Sequence, residues 1–112
     1  MKQPHLKESA IHKSVIAHWR TLGNPGTLVA TIPNMGAFGQ YGLTKGLLDL
    51  LVIGPGIHAY LELKTEVGKL SGPQREFIAL CESHSITCAV TRGRDEPIRL
   101  LEDWGIVRRT AA

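Results

Sequence analysis

Two apolar runs, Leu47–Ile53 (LLDLLVI) and Ile57–Lys64 (IHAYLELK), stand on either side of Gly54-Pro55-Gly56. Runs of this length, rich in branched and aromatic residues and joined by a glycine–proline turn, predict a hairpin. What constrains the fold most is the charge they carry: Asp49, Glu62 and Lys64. Burying an unpaired charge costs several kcal/mol, so strands this apolar tolerate such groups only where they meet one another or reach water. Side chains alternate along a strand, which sends Glu62 and Lys64 to one face and Leu61 and Leu63 to the other. A hairpin can bring Asp49 opposite Glu62, and two carboxylates and an ammonium then share one side of the sheet.

Carboxylates that close repel one another, and one has its pKa raised unless a cation intervenes. A divalent ion with a preference for hard oxygen ligands resolves the repulsion. Mg²⁺ suits it best, since it takes one or two carboxylates together with waters and a substrate phosphate. The competing reading makes Asp49 a solvated edge residue and Glu62 with Lys64 a surface pair, which contributes well under about 1 kcal/mol. Three such residues in two adjacent apolar strands weigh against it.

The rest of the chain supplies the frame. From about Leu6 to Leu22, Ile11, Val15, Trp19 and Leu22 recur at helical spacing, with Glu8 three residues before Ile11 on the same inward face. Gly23-Asn24-Pro25-Gly26 ends that helix. Thr27–Ile32 reads as a strand and Pro33–Gly39 as a loop. Ser71-Gly72-Pro73-Gln74 announces a helix by N-cap serine, first-turn proline and capping-box glutamine, with Phe77, Ile78, Leu80 and Cys81 facing inward. Ile86–Thr91 reads as a fourth strand, and Asp95 as the cap of a last helix over Pro97–Trp104 that Gly105 closes. The predicted order is α-β-β-β-α-β-α, a mixed sheet flanked by helices, in one α/β domain over residues 1–112 with its core at about 6–104.

Composition sets bounds and no more. With 112 residues, 43% hydrophobic and 21% charged, the chain falls in the ordinary globular range. It has no run of about eighteen apolar residues and no apolar stretch near its N-terminus, so the expectation is a cytoplasmic protein with no membrane partner. Cys81 and Cys88 make neither a disulfide framework nor a CxxC pair and read as small hydrophobes. A net charge of +3 permits a polyanionic partner without demanding one. His5, His12, His18, His58 and His84 lack metal-ligand spacing and are set aside as catalytic candidates.

The pattern Gly46-Leu47-Leu48-Asp49, then Glu62-Leu63-Lys64, resembles the PD-(D/E)xK nuclease motif. Its surroundings are similar to the VRR-NUC domain, the virus-type replication-repair nuclease: Glu8 in the first helix, Pro33-Asn34-Met35-Gly36, Gly42 with Gly46, Gly68-Lys69-Leu70-Ser71, and Gln74. The likeness spans about Leu6 to Trp104. Leu48 stands where the motif's name calls for proline, a position with no ligating atom. The resemblance implies a restriction-endonuclease-like fold and a metal-dependent DNA endonuclease using Mg²⁺ or Mn²⁺. Asp49, Glu62 and the Leu63 carbonyl would be metal ligands, and Glu8 would reach the ion directly or through water. Lys64 would position the attacking water or stabilise charge on the phosphate, and Gln74 would orient one of them. Two of these keep plainer alternatives: Glu8 as a first-turn acid favoured by the helix dipole, Gln74 as a capping residue.

Six aromatic residues, two each of Phe, Trp and Tyr, are too few for base stacking to dominate DNA binding. Phosphate contacts from Lys45, Lys69, Arg75, Arg92 and Arg94 are the candidates. Minimal VRR-NUC domains resemble viral or phage proteins that form homodimers and cleave branched DNA, including Holliday junctions. The Met35–Tyr41 loop and the first helix are the places to look for the dimer contact. The rivals are a duplex-cutting restriction-type nuclease, a non-catalytic DNA-binding module of the same fold, and a small metabolic or regulatory α/β domain. For the last, no P-loop or GxGxxG signature is present.

Overall fold

Gly56, with φ +71°, turns the chain back on itself, and the two apolar runs pair antiparallel around it as β2 (Leu50–Gly54) and β3 (Ile57–Lys64). The computed structural model describes residues 7–33 and 44–110. Around the hairpin it places α1 (Glu8–Leu22), β1 (Leu28–Thr31), α2 (Gly72–Ser83), β4 (Thr87–Arg92) and α3 (Asp95–Asp103). The element order and the mixed sheet are those the sequence predicts. Strands run β1-β2-β3-β4, with β1 antiparallel to β2 and β4 parallel to β3. A parallel neighbour needs a crossover, and α2 provides it.

Alternation along β3 divides the molecule. Ala59, Leu61 and Leu63 face the core with Leu50 and Val52 of β2, Ile11 and Val15 of α1, and Leu101 of α3. Full burial of each large aliphatic side chain stabilises the fold by roughly 1.5–3 kcal/mol. Tyr60 faces the other way and meets Phe77 of α2 edge-on at 5.2 Å. Cys81 and Cys88 are free thiols between α2 and β4. Burial, and then the neighbouring Cys81, push the Cys88 thiol up to about 12, so it stays protonated and unreactive near neutral pH.

Four expectations need correction. The second strand begins at Leu50, not Leu47, so Asp49 lies just before it. There the ladder gives way to side-chain bonds: the Asp49 N–H donates to Glu62 Oε1 at 3.1 Å, and Asp49 Oδ2 accepts from the Leu63 N–H at 2.8 Å. Leu80 is 58% exposed. Gln74 and Cys81, seven residues apart, define the buried line of α2, and Leu80 is turned about 100° from Cys81. Asp95 is the first residue of α3, not its cap; Arg94 holds the cap position and makes no capping bond. The first helix begins at Glu8 within the described residues, and Glu8 is half exposed. Asn34, Gly36, Gly42, the Met35–Tyr41 loop, His5 and Leu6 lie outside the described residues. Among the described residues no helix is long and apolar enough to cross a membrane.

Gly46 fixes how the chain enters β2. Its φ is +91°, and a Cβ there would lie 2.5 Å from the Pro73 carbonyl group. Gly56 shares the left-handed backbone but has open space around it. Left-handed backbone costs an L-residue roughly 1–2 kcal/mol, and overpacking adds roughly 1–3 kcal/mol. In urea unfolding, Gly46→Ala should therefore lose about 3 kcal/mol and Gly56→Ala about 1 kcal/mol. Equal losses would contradict the close approach of Gly46 to Pro73.

Candidate active site

Glu62 is 1% exposed, in the last turn of pleat before β3 ends. Its partners account for both oxygens. Oε1 accepts from the Asp49 N–H; Oε2 accepts from Gln74 Nε2 at 2.8 Å and lies 3.2 Å from Lys64 Nζ. Lys64, its side chain 11% exposed, also lies 3.9 Å from Glu8 Oε1. One carboxylate oxygen from each of Glu8, Asp49 and Glu62 falls within 4.8 Å of the others. The sheet end and the first turn of α1 thus gather three acids and one lysine, including every residue that the two strand motifs single out.

Three carboxylates against one ammonium leave the cluster short of positive charge. Burial first, and the adjacent Asp49 second, push Glu62 up to about 7; Lys64 and Gln74 act against them. A divalent cation among these oxygens would remove the repulsion. The donor set is all oxygen, which suits Mg²⁺, Mn²⁺ or Ca²⁺ and not the thiolate or imidazole preferences of zinc and copper. The Leu63 carbonyl faces the Asp49 side of β3. In a strand the N–H and C=O of one residue point to the same edge. The Leu63 N–H points at Asp49, whereas the carbonyls of Glu62 and Lys64 accept from Thr91 Oγ1 and the Gly93 N–H on the β4 side. The residues present fit a hard divalent ion.

Gln74 serves two purposes at once. Its Oε1 accepts from the Ser71 N–H at 2.9 Å while the Ser71 hydroxyl accepts from the Gln74 N–H, completing the capping box. Its Nε2 is then left to hold Glu62. The capping role and the site role are compatible because the amide has two ends.

The acids open on a cleft of about 650 Å³ lined by Glu8, Ser9, His12, Thr31, Asp49 and Gln74 among others. A shallower depression of about 760 Å³ along α1, from Ala10 to Leu22 and touching Arg94, holds none of these acids. Sequence reasoning set His12 aside, yet its Nε2 lies 2.9 Å from Thr31 Oγ1 on the cleft wall. Its spacing of four residues from Glu8 was the available signal.

The five cations sort differently. Lys45, Lys69 and Arg75 are exposed, Arg75 next to Gln74 and Lys45 next to Gly46. The Arg92 guanidinium donates to the carbonyls of Thr65 and Gly68, and the Arg92 backbone N–H donates to Glu96 Oε1. It fastens the turn that follows Lys64. Arg94 borders the depression along α1, away from the acids.

No family model matches the chain, and no curated protein matches it. Solved structures do. One described as "VRR_NUC domain protein" superposes with TM-score 0.74 at 18% identity, over 96% of this chain and 100% of its own. Another, "VRR_NUC domain", gives TM-score 0.62 at 23% identity, over 86% of this chain and 94% of its own. The chain has the VRR-NUC fold.

Glu62 also sets a pH dependence. Its folded value of about 7 lies above the ordinary 4.5, so the protonated acid favours the folded state. That contribution is complete below about pH 4.5 and is lost as pH rises through about 7. In metal-free urea titrations, the stability of the wild type relative to Glu62→Gln should fall by roughly 3 kcal/mol between those limits. A difference that stays flat with pH would show that Glu62 titrates as an ordinary surface acid.

Proposed function

We propose that this chain, with its VRR-NUC fold, is a metal-dependent endodeoxyribonuclease that hydrolyses phosphodiester bonds in branched DNA as a homodimer. The observation that carries the reading is the meeting of Glu8, Asp49 and Glu62 oxygens within 4.8 Å, with the Lys64 ammonium 3.2 Å from Glu62. Asp49, Glu62 and the Leu63 carbonyl would hold Mg²⁺ or Mn²⁺, with Glu8 closing the set. Such an ion supplies Lewis acidity at the phosphoryl group and a water of lowered pKa.

The protein groups do the remainder. Lys64 places fixed positive charge where negative charge develops on the phosphate, and its near burial strengthens that effect. Glu62 and Glu8 hold the ammonium beside the acids. Gln74 keeps Glu62 turned toward Asp49, and the Asp49 carboxylate is fixed by the Leu63 N–H. Lys45, Lys69, Arg75 and Arg94 contact backbone phosphates, which positions DNA without reading its sequence. Branched substrates follow from symmetry: a two-fold dimer offers identical sites to two strands of a two-fold junction.

Labelled four-way junction, flap, single-stranded and plain duplex DNA, incubated with Mg²⁺ or Mn²⁺, test this directly. The junction should be cut in preference to the duplex, and chelation with EDTA should stop cleavage. Lys64→Ala should lower the rate at least about 100-fold with little change in melting temperature, and Glu62→Ala should also abolish cutting. Wild-type-like turnover by either variant would overturn the assignment.

Arg92 and Arg75 separate positioning from phosphate contact. Arg75→Ala should reduce the slope of log affinity against log salt by about 1. Arg92→Ala should leave that slope unchanged and slow cleavage about tenfold through loss of the turn behind Lys64, with Arg92→Lys partly restoring the rate. A reduced salt slope in Arg92→Ala would return Arg92 to the DNA-contacting set.

A further inference from the structure

The cleft has two unlike parts. One carries the three acids and repels a polyanion wherever a cation does not offset it. The other carries His12 of α1 and Thr31 at the end of β1, joined at 2.9 Å. From the geometry we infer that His12 and Thr31 form a phosphate-binding subsite, which takes the DNA phosphate adjacent to the scissile one. The inference rests on the reading of the acid cluster as the seat of the scissile phosphodiester.

Donor arithmetic supports it. A hydroxyl both donates and accepts, and a neutral imidazole has one nitrogen of each kind. If His12 Nε2–H donates to Thr31, the Thr31 hydroxyl hydrogen is left to donate elsewhere. If the Thr31 hydroxyl donates to Nε2, the hydrogen on Nδ1 is left instead. Either arrangement leaves the pair with one uncommitted donor, and protonating the imidazole adds another. Among the described residues neither side chain has a second hydrogen-bond partner. A phosphate oxygen is an acceptor of the kind this pair lacks.

Placement supports it as well. His12 follows Glu8 by four residues, a displacement of about 6 Å along α1 on the same face. Thr31 stands beside the acid cluster, because the next residue, Ile32, donates its N–H to the Asp49 carbonyl at 2.8 Å. The pair therefore sits one helical turn from one acid and one strand from another, a step on the scale of a single nucleotide. A mere helix-to-strand tether would gain nothing from lining the cleft.

The test is a double-mutant cycle between protein and DNA, read by fluorescence anisotropy in a Lys64→Ala background with Mg²⁺ so that the substrate stays intact. Junction DNAs carry one neutral methylphosphonate each, walked along the strand. In the parent, one position next to the cleavage site should weaken binding about tenfold, the scale of a hydrogen bond to a charged group. Adding His12→Ala should weaken unmodified DNA about tenfold and cost nothing more at that position. Thr31→Val, which leaves α1 untouched, should show the same non-additivity. Additive penalties at every position, unchanged binding by both variants, or no DNA binding by the parent would overturn the subsite. Binding is read without turnover. Failure of the wild type to cleave would overturn the nuclease reading and the adjacent-phosphate assignment with it, whereas wild-type cleavage with additive penalties in the cycle would overturn the subsite alone.

Discussion

The structure turns on a carboxylate that has nowhere to go. Glu62 lies on the polar side of a strand whose other side is the hydrophobic core, with 1% of its surface exposed. Leu61 and Leu63 must face inward for the core to close, and the pleat then commits Glu62 and Lys64 to the opposite face. A one-residue slip would exchange these sets and bury two charges among leucines. Core packing thus dictates the position of the site. The hairpin register, Leu50 against Leu61, brings Asp49 to the same spot.

Much of the local structure answers the demands of that acid. Regular strand pairing stops one residue short of Asp49, which frees its N–H for Glu62 and its carboxylate for the Leu63 N–H. Gly46 lets the chain approach β2 against Pro73, so the start of α2 lies beside the site and Gln74 reaches Glu62 from the capping box. Arg92 ties down the turn beyond Lys64 from β4. These contacts leave the acids close together and still undercompensated, with Glu62 pushed up to about 7. The divalent ion proposed above would offset that repulsion.

What the sequence made legible was whatever depends on neighbours along the chain. The hairpin followed from two apolar runs and a glycine turn, the partition of Glu62 and Lys64 from Leu61 and Leu63 from strand period, and the start of α2 from Ser71 and Gln74. The unread features depend on contacts between distant segments. Asp49 lies just outside the strand, bonded through its side chain and N–H to Leu63 and Glu62, and Gly46 packs on Pro73; no local propensity reports either. Arg92 looked like a free cation until the turn at Thr65–Gly68 folded over it. His12 had helical spacing from Glu8, but its importance depends on how α1 crosses β1. Leu80 is apolar and exposed, and only the placement of α2 on the sheet distinguishes it from Cys81.

Crystals soaked in Mn²⁺ and measured at the manganese edge bear most directly on the central claim that these carboxylates gather a divalent ion. An anomalous peak should appear between the Asp49 and Glu62 carboxylates with the Leu63 carbonyl in its shell, and Asp49→Asn crystals should lose it. Manganese bound elsewhere, or no peak while the three acids stay together, would contradict the account.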